Sequence, residues 1–202
     1  MRTDETRAVI NAGREVVRRE AAALTALATR IDDSFAHAVR RVESCRGRVV
    51  TSGIGKSGLV AARQASLLST IGIPAFHVHA GDALHGDAGA ITSDDVLMAV
   101  SYSGETTEVC NLAGIVQARG VPVIAITGAP LSELAAKADI VLELPACTEA
   151  DSLGLVPSCS SASATGIADA LAIVLMSRRG MKSREFGVNH PNGKLGRTAR
   201  GV

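Results

Sequence analysis

Two short stretches place small hydrogen-bonding residues where a compact anion could be held. The first, "VVTSGIGKSGL" (Val49–Leu59), runs an apolar segment into Gly53-Ile54-Gly55-Lys56-Ser57-Gly58. The second, "SYSGETTE" (101–108), sets Ser101, Ser103 and Thr106 around Gly104, with Thr107 next in line. Three ligands compete for the first loop. A Walker A loop needs a glycine at the position held by Val50, so that signature fails. A dinucleotide fingerprint is matched in its glycines but wants an acid closing the second strand, roughly 20 residues on. That segment ends His77-Val78-His79, and the first acid is Asp82. A simple phosphate or phosphosugar is the third ligand, bound by loop N–H groups and the following helix N-terminus. Helix capping and tight turns are the ordinary use of such residues. Two matched loops, one with Lys56 and Ser57 and one with a hydroxyl cradle, favour the phosphate. Lys56 strengthens the case, because a cation at a helix N-terminus is unfavourable without an anion.

The composition narrows the remaining classes. The chain has 202 residues, 47% hydrophobic and 20% charged, with a formal net charge of +1. That length suits one domain, and the balance gives no electrostatic case for nucleic acid or a membrane surface. Aromatic residues make up 2%, including one Tyr and no Trp, so base-stacking platforms are excluded and the core must be aliphatic. Cys45, Cys110, Cys147 and Cys159 lack paired spacing and read as reduced thiols of a cytoplasmic protein. The charged start "MRTDETRAVI" has no signal-peptide pattern, and no apolar run approaches the roughly 20 residues a membrane helix needs.

The elements that must position the two loops follow from periodicity. Residues 4–44 read as helix, interrupted near Gly13, with Leu24, Leu27, Ile31, Phe35, Ala38 and Val42 on one face. Five strand candidates follow at 48–52, 74–79, 95–101, 121–127 and 139–145, three of them almost wholly apolar. Helices are expected at 58–71, 105–119, 131–138 and 160–180, with 82–92 irregular or briefly helical. The alternation predicts an α/β fold: a doubly wound, five-stranded, mostly parallel sheet flanked by helices, with a long N-terminal helical segment. Residues 1–46 form that segment, 47–180 the α/β domain, and 181–202 an extended arm. Ligands of such sheets bind beyond the strands' carboxyl ends, which selects 52–58, 80–87, 101–108 and 145–157.

With "GIGKSG" (53–58), "HAGDALHGDAG" (79–89), "SYSGETTE", "LGLVPSCSSASATGIADALA" (153–172) and "NHPNGKLGR" (189–197) in one order, the chain resembles SIS (sugar isomerase) domains. Within them it is most similar to the arabinose-5-phosphate isomerases. The resemblance implies interconversion of ribulose 5-phosphate and arabinose 5-phosphate, with Lys56, His85, Glu108, Glu149 and His190 as the active-site set. It also implies phosphate and substrate binding by Gly55, Ser57, Ser101, Ser103 and Thr106. A homotetramer is expected, with the C-terminal arm carrying His190 into a neighbour's site. Many relatives continue into a pair of CBS domains, so this chain is expected to be the isomerase module alone. Two departures stand out. Ala150-Asp151-Ser152 replaces a common Ala-Cys-Pro, adding a carboxylate beside the site, and Tyr102 replaces a small polar residue.

Such an isomerisation needs a base beside the carbonyl, a hydroxyl-proton shuttle and fixed positive charge at the developing oxyanion. Glu149, past the fifth strand, is the first choice as base, against the common fate of an exposed loop acid. Glu108 competes with a helix-dipole role. His85, between Gly81 and Gly86, suits proton relay. His77 and His79 are left as structural, one toward the core and one toward the cleft. They form a loose set with His85, Asp82 and Asp87, but without a ligand pattern, so no metal and no cofactor are expected. The substrate is a small sugar phosphate, with no nucleic-acid or membrane partner. Other readings are an isomerase of another ketose phosphate, such as a hexulose 6-phosphate, a non-catalytic phosphosugar sensor, and lastly a dinucleotide oxidoreductase.

Overall fold

The fold begins from one long helix and a capped break. In the computed structural model, which describes residues 2–201, α1 (Arg2–Ala28) is followed by α2 (Asp33–Glu43). The break falls at 29–32, not near Gly13, because Asp32 accepts the N–H of Ser34 at 2.9 Å and caps α2. The expected apolar face is split accordingly: Leu27, Phe35, Ala38 and Val42 are buried, whereas Leu24 and Ile31 are exposed. Residues 4–19 of α1 are exposed throughout, so that part of the helix stands clear of the body.

β1 (Val49–Gly53), α3 (Gly55–Thr70), β2 (Ala75–His79) and α4 (Ala80–Ala83) come next, then a 3-10 turn at Asp87–Ala90. They are followed by β3 (Val96–Val100), α5 (Thr107–Gln117), β4 (Val123–Thr127), α6 (Glu133–Ala136) and β5 (Ile140–Glu143). α7 (Cys159–Arg178), α8 (Ser183–Asn189) and α9 (Lys194–Arg200) complete the chain. The five strands are all parallel, in the order β2-β1-β3-β4-β5. Val49 lies opposite both Ala75 and Val96, and Gly53 opposite both His79 and Val100, so the first three strands end in line.

Alternation sorts the side chains into two cores. Val96, Met98, Val100, Ile124 and Ile126 meet Phe35, Leu68, Ile167 and Leu171 on one face. Leu97, Ala99, Val123 and Ala125 meet Val109, Leu112, Ala113 and Leu134 on the other. Every residue of β1, β3 and β4 is buried, and the edge strands β2 and β5 are only partly so. Burying each Leu or Ile stabilises by about 1.5–3 kcal/mol. α3 and α7 run side by side on the first face, joined by the Arg63 and Asp169 pair, whose Nη2 to Oδ2 distance is 3.1 Å. That pairing lies midway along both helices and holds them side by side.

Two expectations need correction. The arm 181–202 is two short helices, α8 and α9, packed on each other. Gly196 meets the carbonyl of His190 so closely that any Cβ would collide, and Arg200 donates to the carbonyls of Gly187 (2.6 Å) and Pro191 (3.1 Å). The local pattern lacks an aliphatic repeat, so the pair does not show in periodicity. α7, at 20 residues, does reach the length and apolarity of a membrane span, but half of its most apolar window is buried inside the fold, and small residues such as Ser163 and Gly166 keep it close to its neighbours.

At the strands' amino ends Asp95 ties β1 to β3. It is 2% exposed and accepts the N–H of Arg48 at 2.6 Å and of Thr92 at 2.8 Å. Asp95→Ala would orphan both donors, and a loss of about 2–4 kcal/mol is expected in urea unfolding, with the m-value unchanged.

Candidate active site

The first loop is built by backbone contact. A Cβ on Gly53 would lie 2.9 Å from the carbonyl oxygen of Val100, and one on Gly58 would lie 2.9 Å from that of Gly53. The turn from β1 into α3 therefore closes against both β3 and the helix, which only glycine permits. Ile54 at the N-cap offers no side-chain bond, so the leading N–H groups of α3 are left to the loop's occupant. Lys56 is exposed in that first turn, Gly55 is exposed and Ser57 half-buried. Among the described residues Lys56 makes no ion pair.

The second loop is braced from below. Buried Ser101 bonds the Thr106 hydroxyl at 2.9 Å and accepts the N–H of Gly104 at 3.2 Å. Thr106 is the N-cap of α5, and with its hydroxyl turned to Ser101 it does not cap the helix. Ser103 is exposed and accepts the N–H of Glu105 at 3.2 Å. Gly104, with φ +68°, packs on the Ser132 side chain with no room for a Cβ. Glu108 is half-buried in the first turn of α5. These two loops flank the point between β1 and β3 where the strand order reverses, α3 leaving to one face and α5 to the other. Open α/β sheets bind ligands in that crevice.

Glu149 reaches the same rim from beyond β5. Its Oε2 accepts the N–H of Ser158 (2.8 Å), the hydroxyl of Ser158 (3.1 Å) and the N–H of Ser160 (3.3 Å), and Oε1 accepts the Ser160 hydroxyl. The carboxylate thus sits on the N-terminus of α7, beside that of α3. Burial pushes its pKa up, but the bonds from Ser160 and Ser158 outweigh burial and hold it below the usual carboxylate range. Sequence reading did not single out Ser158 or Ser160. The run "SCSSAS" signals a helix start, but its partner acid lies nine and eleven residues away.

Asp151 and Tyr102, the two departures singled out in the sequence, are both hydrogen-bonded within the chain. Asp151 accepts the N–H groups of Leu153 (2.8 Å), Leu155 (3.0 Å) and Val156 (2.8 Å), which lower its pKa, the Val156 bond most. It organises its own loop. Tyr102 donates its hydroxyl to the carbonyl of Pro145 at 3.2 Å and accepts the N–H of Cys147 at 3.2 Å. Its ring covers Gly128, where a Cβ would come within 2.7 Å, and burial first, then the Cys147 thiol, push its pKa up to about 12.

The histidines divide. His85 is exposed in the turn after α4, at the β2 end of the same rim. His77 is half-buried with Nδ1 3.5 Å from Thr51 Oγ1, and burial lowers its pKa; His79 is exposed, 3.8 Å from Asp82. His190 lies elsewhere. It closes α8, stacked on Phe186 at 4.1 Å, next to Asn189, which donates to the carbonyl of Thr70. Thr70 ends α3 and Lys56 begins it, so the two ends are about 20 Å apart along the helix axis. Among the described residues, no three His, Cys, Asp or Glu side chains gather as metal ligands.

A parallel sheet with two glycine-hydroxyl turns at its switch point defines an α/β domain, and the chain belongs to the SIS domain family, whose model matches residues 44–175. Among its relatives, arabinose 5-phosphate isomerase KdsD of Escherichia coli K12 is 40% identical over 186 residues, 92% of this chain and 57% of that protein. The KdsD of Pseudomonas aeruginosa is 39% identical over 188 residues, covering 93% and 58%. The structure of E. coli CFT073 c3406 in complex with arabinose 5-phosphate matches with a TM-score of 0.88 at 35% identity, over 91% of this chain and 98% of that one. The chain thus spans a little over half the length of the curated relatives it matches.

Because the Glu149 pKa is lowered on folding, its contribution to stability is present above the unfolded value of 4.5 and is lost as pH falls through the lower folded value. Carbon-13 NMR of the carboxylates is expected to show Glu149 titrating below the ordinary range. Ser160→Ala should raise that midpoint toward the ordinary range; an unchanged midpoint would mean that the hydroxyl does not hold the acid.

Proposed function

We propose that the chain is a phosphosugar aldose–ketose isomerase that interconverts ribulose 5-phosphate and arabinose 5-phosphate. The observation that carries this reading is the opening of two phosphate-type turns, one bearing Lys56, at the switch point of one sheet, with a carboxylate fixed on the start of α7 beyond β5. The relatives' names, and the arabinose 5-phosphate bound in a structure at 35% identity, support the same substrate.

In this reading Ser101, Ser103, Thr106 and the open N-terminus of α5 hold the phosphate, and Gly55 and Ser57 line the sugar. Glu149 is the base. Oε2 is filled by three donors, but Oε1 takes only the Ser160 hydroxyl and keeps a lone pair for a substrate proton. It removes the proton from carbon 1 of the ketose while the carbon 2 carbonyl oxygen gains one, giving a cis-enediol. The proton returns to carbon 2 as the hydroxyl on carbon 1 becomes the aldehyde. Lys56 stabilises the charge that develops on oxygen, and His85 and Glu108 relay the hydroxyl protons. Neither a cofactor nor a metal has a part in this scheme.

His190 enters only between copies. Its place at the far end of α3 keeps it from its own chain's rim, so residues 181–202 serve a neighbour's site in a homo-oligomer, a tetramer in this reading. The clear-standing part of α1, with Val9, Ile10, Val16 and Val17 exposed, supports assembly of copies, since a bare helix gains most of its stability from packing. A cytoplasmic location fits the reduced thiols and the phosphorylated substrate.

Proton NMR of the chain with ribulose 5-phosphate in deuterated water, with EDTA present, is expected to show arabinose 5-phosphate appearing, with deuterium at carbon 2 to the extent that the base exchanges with solvent. Absence of product would remove the substrate assignment, and the same assay on hexose phosphates would then separate another isomerase from a silent sensor. Lys56→Met and His190→Ala should each lose activity by about 100-fold or more. Unfolded together and co-refolded, they should regain about a quarter of wild-type activity if each site draws the two residues from different copies. No regain would place both residues in one copy's site or none.

A further inference from the structure

Among the described residues one side chain links the serine loop to the segment that carries Glu149, and the mechanism above leaves it without a role. Tyr102 belongs to the loop: its carbonyl accepts the N–H of Gly128 at 2.9 Å and the Thr127 hydroxyl at 3.2 Å, which fixes the loop to the end of β4. Its phenol belongs to the other side. The hydroxyl donates to Pro145 and accepts from Cys147, and it also lies 3.4 Å from the Cys147 sulfur. Glu149 follows two residues later and is gripped in turn by Ser158 and Ser160. The segment 144–158 has no helix or strand of its own, and Leu153, Leu155 and Val156 on it are exposed. Its start is held by the Leu144 N–H on Thr127 at 2.8 Å and then by Tyr102, and its end by the α7 serines.

We infer that Tyr102 is a positioning residue that fixes the distance between the phosphate-holding loop and the Glu149 carboxylate. The inference rests on the isomerase reading and deepens it. A phosphate held at one end of a five-carbon sugar sets where carbon 1 falls, so the base is useful only at a fixed offset from the loop. Misplacing a catalytic group by about 1 Å can cost about a hundredfold in rate. The phenol spans that offset with a rigid ring, seated on Gly128, where a side chain would clash. Its hydroxyl is engaged as donor and as acceptor by Pro145 and Cys147, so Tyr102 acts through the segment and not on the sugar. The residue that departs from the family's small polar pattern therefore sets geometry and does not select among hydroxyl configurations by contact.

The test is a double-mutant cycle on the full chain: wild type, Tyr102→Phe, Glu149→Gln and the pair. Phenylalanine keeps the ring over Gly128 and removes only the hydroxyl. Tyr102→Phe is expected to lower kcat on ribulose 5-phosphate about tenfold, with KM changed less than about threefold and calorimetric affinity for inorganic phosphate within about twofold. In the Glu149→Gln background the same substitution should cost less than about twofold, because there is no base left to position. Full activity in Tyr102→Phe overturns the inference, as does an equal loss in both backgrounds or a phosphate affinity that falls in step with kcat. Should the wild type not turn over ribulose 5-phosphate, the isomerase reading fails, and the link is decided by binding alone. Arabinose 5-phosphate weakened about fivefold by Tyr102→Phe with inorganic phosphate unchanged supports it; both unchanged, or both weakened alike, overturns it.

Discussion

Parallel pairing of β1 between β2 and β3 is what the rest of the molecule depends on. Because the three strands run in one direction and end in register, the turns that follow them open on one rim, and the helices they feed present N-termini there. The stretches that carry the proposed site residues lie far apart in sequence. Lys56, Ser101, His85 and Glu149 are gathered by the sheet, and the reversal of strand order between β1 and β3 opens the crevice between the first two. The tight closure of Gly53 on Gly58 and on Val100 is the local form of the same requirement, since a side chain there would push the first loop off the rim.

Glu149 shows how that rim handles charge. Burial alone raises the pKa of a half-buried carboxylate. Here the start of α7 supplies two backbone N–H groups and two hydroxyls, so the acid stays ionised and is also immobile. The helix is capped by a residue that precedes it by a whole loop, which ties the irregular segment after β5 to the packed face of α7. The bonds that fix Glu149 and the bonds that cap α7 are thus one set.

The strands and their order along the chain are legible in the sequence because burial on both faces leaves nearly unbroken apolar runs, as in "VLMAV" and "VIAIT". The two glycine-hydroxyl turns are legible for a related reason: glycine and hydroxyl residues placed directly after such runs stand out against the aliphatic background. What is not legible depends on long-range partners. Asp151 has the composition of a site acid, and only the fold shows its oxygens filled by Leu153, Leu155 and Val156. The split of α1 from α2 turns on Asp32 as a cap, which competes in sequence with a continuing apolar repeat through Ile31. The helices of residues 181–202 are held by glycine contacts and by Arg200, which carry no periodic signal.

The linking phenol has a consequence for how this molecule can be watched. Tyr102 is the chain's one tyrosine, and the chain has no tryptophan. Nearly all of its intrinsic near-ultraviolet emission therefore originates at a single point, between the serine loop and the segment leading to Glu149. The protein is dark everywhere except at the joint on which its geometry turns, so its own light reports on that joint without a label.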